Sequence, residues 1–215
     1  MGVITIAREF GAGGEQVGHL VADRLGWDFL DRRLVAEVSR KLALNEDFVE
    51  KHDERRAGFL DRLLQQLAGV DFSSPQDPTV WTPPFQDPAF DPGRAVLHLT
   101  QEAIRSAAAT GNCVIVGRGA TYILRDHPGV LSVFLRAKVE SRMRLVMELF
   151  NLTEEAAAKR IRETDANRSA YIREVYDHDW SHPAHYDMVL DTGTIGWPAA
   201  AEAIVSVASA SLLAP

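Results

Sequence analysis

Three glycines in four positions, Gly11, Gly13 and Gly14, stand in the run Arg8-Glu-Phe-Gly-Ala-Gly-Gly-Glu-Gln16, between a short β-branched stretch and an amphipathic one. A glycine-rich loop joining a strand to a helix suits an anion. Its backbone N–H groups can turn inward, and the helix N-terminus adds a partial positive charge. In a complete loop of this kind, G-x-x-x-x-G-K-[ST], a lysine reaches the terminal phosphates and a hydroxyl assists a magnesium ion. Here Gly13 takes the place of the last glycine, Gly14 stands where the lysine belongs, and Glu15 and Gln16 fall at the hydroxyl position. Gly11, Ala12, Gly13 and Gly14 therefore offer a backbone cradle without its usual cation. Arg8 is the nearest basic residue able to substitute for it. Glu15 opposes anion binding unless it points away, because a carboxylate in the first helical turn offsets the helix-end charge. A tight structural turn with an acidic helix start is the alternative reading.

Three further groups could work beside such a cradle. Arg118, flanked by Gly117 and Gly119, follows the apolar run 114–116. Ligands of parallel α/β sheets sit at the carboxyl ends of strands, where an arginine can grip a phosphate with two parallel hydrogen bonds. A structural salt bridge is the alternative. In Arg162-x-x-Asp165-x-x-Arg168 the carboxylate lies three residues from each arginine, so a helix can pair it with either. Such a pattern decorates many solvated helices; next to bound phosphates the arginines could close over them and stabilise their charge. Asp31-Arg32-Arg33 places Asp31 to cap a following helix, and Arg33 to meet an acceptor phosphate. Between residues 136 and 173 nine Lys/Arg stand against six Asp/Glu, a local balance of +3. Interleaved surface charge accounts for it equally well as a lid for an anionic ligand.

The elements that must position these residues alternate in the manner of a parallel α/β protein. Strands are expected at 3–7, 27–30, 114–116, 130–135 and 188–190, and helices at 15–25, 32–42, 45–69, 94–110, 139–150, from 154 onward, and 197–212. Val139, Met143, Val146, Met147 and Phe150 share one face of their helix, and Thr153 can cap the next. Residues 71–93 are rich in proline and carry Trp81, Phe85 and Phe90, which excludes a regular helix or central strand there.

The 215 residues suit one domain with a small insert. The net charge of −7 argues against a general nucleic-acid binder. The single cysteine, Cys113, excludes an intramolecular disulfide, and no Cys/His cluster has metal-site spacing. His178, His182 and His185 read as surface loop histidines. Arg8 and Glu9 interrupt the first apolar run, and no stretch approaches the ~20 apolar residues of a membrane span, so a cytoplasmic protein with no membrane partner is expected.

Four segments carry a resemblance that spans nearly the whole chain in the correct order: Ile4-Thr-Ile-Ala-Arg-Glu-Phe-Gly-Ala-Gly-Gly14, Phe29-Leu-Asp-Arg-Arg-Leu34, Cys113-Val-Ile-Val-Gly-Arg-Gly-Ala120 with Tyr122-Ile-Leu-Arg-Asp126, and Arg162-Glu-Thr-Asp-Ala-Asn-Arg168. With them the chain resembles the cytidylate kinase-like proteins, a branch of the P-loop nucleoside monophosphate kinases. The resemblance implies a P-loop NTPase-type α/β fold, with a parallel five-stranded sheet flanked by helices. It implies an acceptor-binding insert at about 32–93 and an arginine-bearing helical lid at about 151–180, within one domain. It further implies ATP and Mg2+ as donor and CMP or dCMP as acceptor. Arg8 and residues 11–14 would then hold the donor phosphates, Asp31, Arg33 and Arg118 the acceptor, and Arg162, Asp165 and Arg168 the lid chemistry, Arg162 being the looser match.

The chain departs from true cytidylate kinases where they carry lysine in place of Gly14 and Asp in place of Gly119. Members of the kinase-like branch also lack the lysine, and some carry a basic residue where this chain has Glu15. The alternative function is a nucleotide- or phosphate-binding module that has kept the fold and lost the chemistry, or a homodimer built on the proline- and aromatic-rich insert. Phosphorylation of a different small alcohol or acid is a third reading, since fold does not fix substrate.

Overall fold

The computed structural model describes residues 2–30 and 92–212. Asp31, Arg33 and the helices expected at 32–42 and 45–69 lie outside the described residues. The chain divides into two compact units, Met1–Arg32 with Gly111–Pro215, and Arg33–Thr110. The described elements are, in chain order, β1 (Val3–Arg8), α1 (Gly14–Leu25), β2 (Asp28–Leu30), α2 (Pro92–Thr110), β3 (Cys113–Val116), α3 (Ala120–Ile123), β4 (Val130–Arg136), α4 (Val139–Phe150), α5 (Glu154–Tyr176), a 3-10 turn at Pro183–His185, β5 (Met188–Asp191), α6 (Thr192–Ile195) and α7 (Trp197–Ser211). Of the second unit only α2 is described, a helix with an Arg105–Glu102 ion pair one turn apart at 2.6 Å.

In the first unit five strands form one parallel sheet in the order β2-β3-β1-β4-β5. β1 is central, and its buried residues Val3 to Ala7 are apolar except for Thr5, because both its faces are covered. Ile6 pairs in register with Val116 on one side and Val133 on the other. That register brings the carboxyl ends of β1 and β3 together, so the segments after Arg8 and Val116 leave the sheet side by side.

Side chains alternate across the sheet with period two. Ile4, Ile6, Val133 and Leu135 face one way and pack with Val17 and Val21 of α1 and Ala200, Ile204 and Ala208 of α7. Ala7 and Phe134 face the other way and pack with Ile172, Trp180 and Tyr186. α5 starts at Thr153, whose hydroxyl accepts the Ala156 N–H, with Glu154 and Glu155 in the favoured first turn.

α4 differs from expectation. Val139 and Phe150 are exposed, 47% and 41%, whereas Arg142 is only 6% exposed. The helix turns Arg142 and Val146, four residues apart, toward Gly11. Arg142 finds carboxylates there, so a charged side chain takes the buried place that the apolar stripe promised to Val139 and Phe150. Among the described residues no helix is long and apolar enough to cross a membrane.

Candidate functional site

The glycine loop spans the gap between β1 and α1. Gly13 precedes α1 with φ 76°, a left-handed conformation that only glycine adopts at little cost, and no side chain caps the helix start. Its Cα faces the indole of Trp197, which leaves no room for a side chain. The Ala12 carbonyl is fixed by the buried hydroxyl of Thr192 at 2.8 Å, which also bonds the Arg136 carbonyl at 3.1 Å. Glu15 is exposed on the first turn of α1.

Arg8 takes a defined route out of β1. A Cβ built on Gly14 would lie 2.5 Å from Arg8 Cγ and 3.0 Å from Cδ, and one built on Gly117 would fall on the Arg8 guanidinium. The stem thus crosses the first residue of α1 and the charged head ends against the loop after β3. There it lines a cavity of about 470 Å³, together with Arg118 from the β3 loop and Arg168 from α5. Tyr122, Tyr171 and Trp180 give the cavity aromatic walls, and Thr121, Thr164 and Asn167 add neutral polar groups. Arg118 holds φ 57°, a left-handed conformation unusual for a residue with a side chain. Gly119 follows at φ 72°, and a Cβ there would lie 2.7 Å from the Tyr176 ring. The place that the family pattern gives to Asp is occupied by an aromatic ring.

A second set of charges holds the loop rather than the cavity. Asp165 accepts the Phe10 N–H at 2.8 Å and pairs with Arg142. Arg142 also faces Glu9 at 3.6 Å, and Glu9 in turn accepts the Ala137 N–H at 2.9 Å. One helical turn beyond Asp165, Arg168 donates to the Arg8 carbonyl at 2.9 Å. α5 therefore grips the backbone on both sides of Glu9.

Arg8, Arg118 and Arg168 accordingly come together. Asp165 lies beside them, turned to the loop amide and Arg142. Arg162 is exposed and is not among the cavity-lining residues. Sequence reasoning missed Arg142, Glu9, Trp197 and Tyr176. The position of Arg142 one turn before Val146, inside the apolar stripe of α4, is the signal that marks it.

The cavity's polar chemistry is cationic. Burial raises the Tyr122 phenol above the ordinary tyrosine range, against the lowering effect of its bond to Tyr186, and burial raises Tyr186 too. Tyr186 donates to the Trp180 carbonyl at 2.7 Å and so accepts from Tyr122 at 3.3 Å. These phenols stay protonated and supply no base. Among the described residues no carboxylate lines the cavity, and no group of three or more His, Cys, Asp and Glu could hold a metal ion. The described side chains therefore do not form a Mg2+ site of their own. The glycine loop, with an uncapped helix start, does fit a chain of phosphates. The arrangement can hold anions, orient them and stabilise charge as it moves between them.

Comparison with known proteins agrees with this geometry. Residues 3–194 match the cytidylate kinase-like family. A cytidylate kinase of Methanocaldococcus jannaschii is 30% identical over 88 residues, 40% of this chain and 49% of that protein, so the chain spans about half the length of this curated relative. An uncharacterized protein from Eubacterium ventriosum has the same fold at a TM-score of 0.70 and 20% identity, over 97% of this chain and 99% of that one. Shikimate kinase from Acinetobacter baumannii, solved in complex with shikimate, reaches a TM-score of 0.51 at 13% identity, over 100% and 96% of the two chains. At these identities the two structures show a shared fold.

Proposed function

Because the chain belongs to the cytidylate kinase-like family, we propose that it transfers the γ-phosphoryl group of ATP to a small anionic acceptor, with CMP or dCMP as the first candidates. Family and fold support a nucleotide kinase-like function. The observation that carries the finer reading is the convergence of Arg8, Arg118 and Arg168 on one aromatic-walled cavity beside the glycine loop. Fixed guanidinium groups recognise phosphate by paired hydrogen bonds, and flat aromatic walls suit a base.

In this reading residues 11–14 hold the donor phosphates through backbone N–H groups. Arg118 and Arg168 hold the acceptor's anionic group and offset charge during transfer. Phosphoryl transfer needs positioning and charge stabilisation more than covalent help, which suits a cavity lined by arginines. ATP, when bound, supplies the transferable phosphoryl group.

The test is ADP release from ATP·Mg2+ with a panel of ribo- and deoxyribonucleoside monophosphates. Shikimate joins the panel as a hydroxy-carboxylate, because the same arginines can grip a carboxylate. Stimulation by one acceptor, falling about 100-fold or more in Arg118→Ala and Arg168→Ala with the fold retained, is the expected result. Folded protein that no acceptor stimulates would sink the proposal. The second reading, a nucleotide-binding module without turnover, is favoured by glycine at position 14; it expects thermal stabilisation by nucleotide and no ADP.

A further inference from the structure

We propose that Arg8 and Gly14 are a coupled pair that moves the loop's phosphate-contacting cation from α1 to the end of β1. The proposal rests on the phosphotransferase reading for its chemistry, though not for its geometry. Gly11 and Gly13 have positive φ, but Gly14 is the first residue of α1 and does not. Backbone conformation therefore gives no reason for glycine at 14, where alanine would ordinarily favour the helix. The neighbour gives the reason. A Cβ at 14 would meet Arg8 Cγ at 2.5 Å, Cδ at 3.0 Å and Cβ at 3.2 Å. Those atoms are the root of the side chain, and they cannot swing aside without a new rotamer that withdraws the guanidinium from Gly117.

The other end of Arg8 is equally confined. Its head lies where a side chain at Gly117 would be, and Arg168 fixes its carbonyl at 2.9 Å. A lysine at 14 and Arg8 on this route exclude one another. The absent lysine is thus a relocated charge: a stem from β1 passes over the helix start and presents a guanidinium between the glycine loop and the arginine-lined cavity. That is the junction a transferring phosphoryl group must cross. The planar fork presents two parallel, coplanar N–H donors in fixed geometry, which an ammonium does not.

The experiment combines thermal unfolding with calorimetric titration of inorganic tripolyphosphate, in wild type, Arg8→Ala, Arg8→Met, Gly14→Ala and the combined variants. Gly14→Ala should lower Tm in wild type, lower it again in Arg8→Met, which keeps the stem, and lower it far less in Arg8→Ala, where only the 3.2 Å contact with Cβ remains and helix propensity offsets it. Tripolyphosphate affinity should fall at least tenfold in both Arg8→Ala and Arg8→Met. It should recover at least fivefold over Arg8→Ala when Gly14→Lys is added to that variant. A rise in Tm for Gly14→Ala in every background would overturn the pairing, and tripolyphosphate affinity within twofold of wild type in Arg8→Met would overturn the role of the charge. If no acceptor drives ADP release, the proposed function fails, while these two readouts still decide the Arg8–Gly14 pair.

Discussion

Removing the Asp165 carboxylate tests whether α5 holds the glycine loop in shape. In Asp165→Ala the Phe10 N–H loses its acceptor, and Arg142, with its side chain 8% exposed, loses its nearer carboxylate. Deleting one partner of a buried ion pair costs about 3–5 kcal/mol. The lower end applies here, because Asp165 is 19% exposed and Glu9 still faces Arg142 at 3.6 Å. Alanine returns about 0.5 kcal/mol in helix propensity, leaving a net loss of about 2.5 kcal/mol. For a chain of this size that is a fall in Tm of about 5–10 °C. Asp165→Asn keeps an acceptor for Phe10 and should lose about 1–1.5 kcal/mol. In an Arg142→Met background, Asp165→Ala should lose the amide bond, about 1 kcal/mol, less the same helix-propensity return, a net cost of about 0.5 kcal/mol. Urea unfolding of the four-member cycle measures each value, and hydrogen exchange at the Phe10 amide should quicken in Asp165→Ala but not in Asp165→Asn. A loss below about 0.5 kcal/mol in Asp165→Ala, or equal losses with and without Arg142, would refute the tie between α5 and the loop.

Gly119→Asp restores the pattern of true cytidylate kinases but places a side chain at φ 72°, where its Cβ would lie 2.7 Å from Tyr176. It should destabilise by about 2–3 kcal/mol and give no gain with CMP, as urea midpoints and CMP kinetics would show. Arg118→Gly removes the guanidinium at a residue whose φ of 57° glycine adopts freely, so acceptor binding by calorimetry should fall at least tenfold. His185 lies beside His178, His182 and Tyr122; partial burial, then the charges of His178, Arg125 and His182, hold its proton affinity below the ordinary histidine value. A folded-state value below the unfolded 6.5 means that stability is full above that pH and declines as pH falls through the folded value. Tm measured from pH 7.5 down to 5 should therefore slope downward, and His185→Gln should flatten that slope. The Asp179 carboxylate, lowered chiefly by its hydrogen bonds from Ser181, adds its own loss only below its ordinary 3.8.

Features written in neighbouring residues were legible in the sequence. The apolar run of β1, the glycines after it, the turn before β3 and the Thr153 cap each declare themselves within a few positions, and with them the parallel sheet and the exit points of Arg8 and Arg118. The Arg8 route was not legible, because it depends on the β1–β3 register that sets Gly117 beside the end of β1. The Glu9–Arg142–Asp165 set was hidden for the same kind of reason. It joins residues 128 to 155 positions apart from β1 onward, through the bonds of Glu9 to Ala137 and Phe10 to Asp165. Arg142 stands one turn before Val146, but a pattern of apolar residues cannot announce carboxylates waiting on another element. Trp197 against Gly13 and Tyr176 against Gly119 were equally invisible. They leave no room for a side chain at either glycine.

The charge of the whole chain and the charge of the cavity point in opposite directions, and the anchoring of the arginines resolves the conflict. At −7 the protein as a whole repels anions, so affinity for one must come from local placement. Three elements each bring one cation to the cavity: β1 brings Arg8, the loop after β3 brings Arg118, and α5 brings Arg168. Among the described residues, the acidic ones close to them also serve the loop. Glu9 and Asp165 face Arg142 behind the loop, and each also accepts a backbone N–H. Much of their negative charge is directed to a buried guanidinium, Arg142, which is not among the described residues that line the cavity. Arg142 is in this sense a charge sink for the site. It draws Asp165, whose other oxygen lies 3.8 Å from Arg168, toward the loop, so that α5 carries an aspartate that fixes the loop and, one turn later, an arginine that serves the cavity.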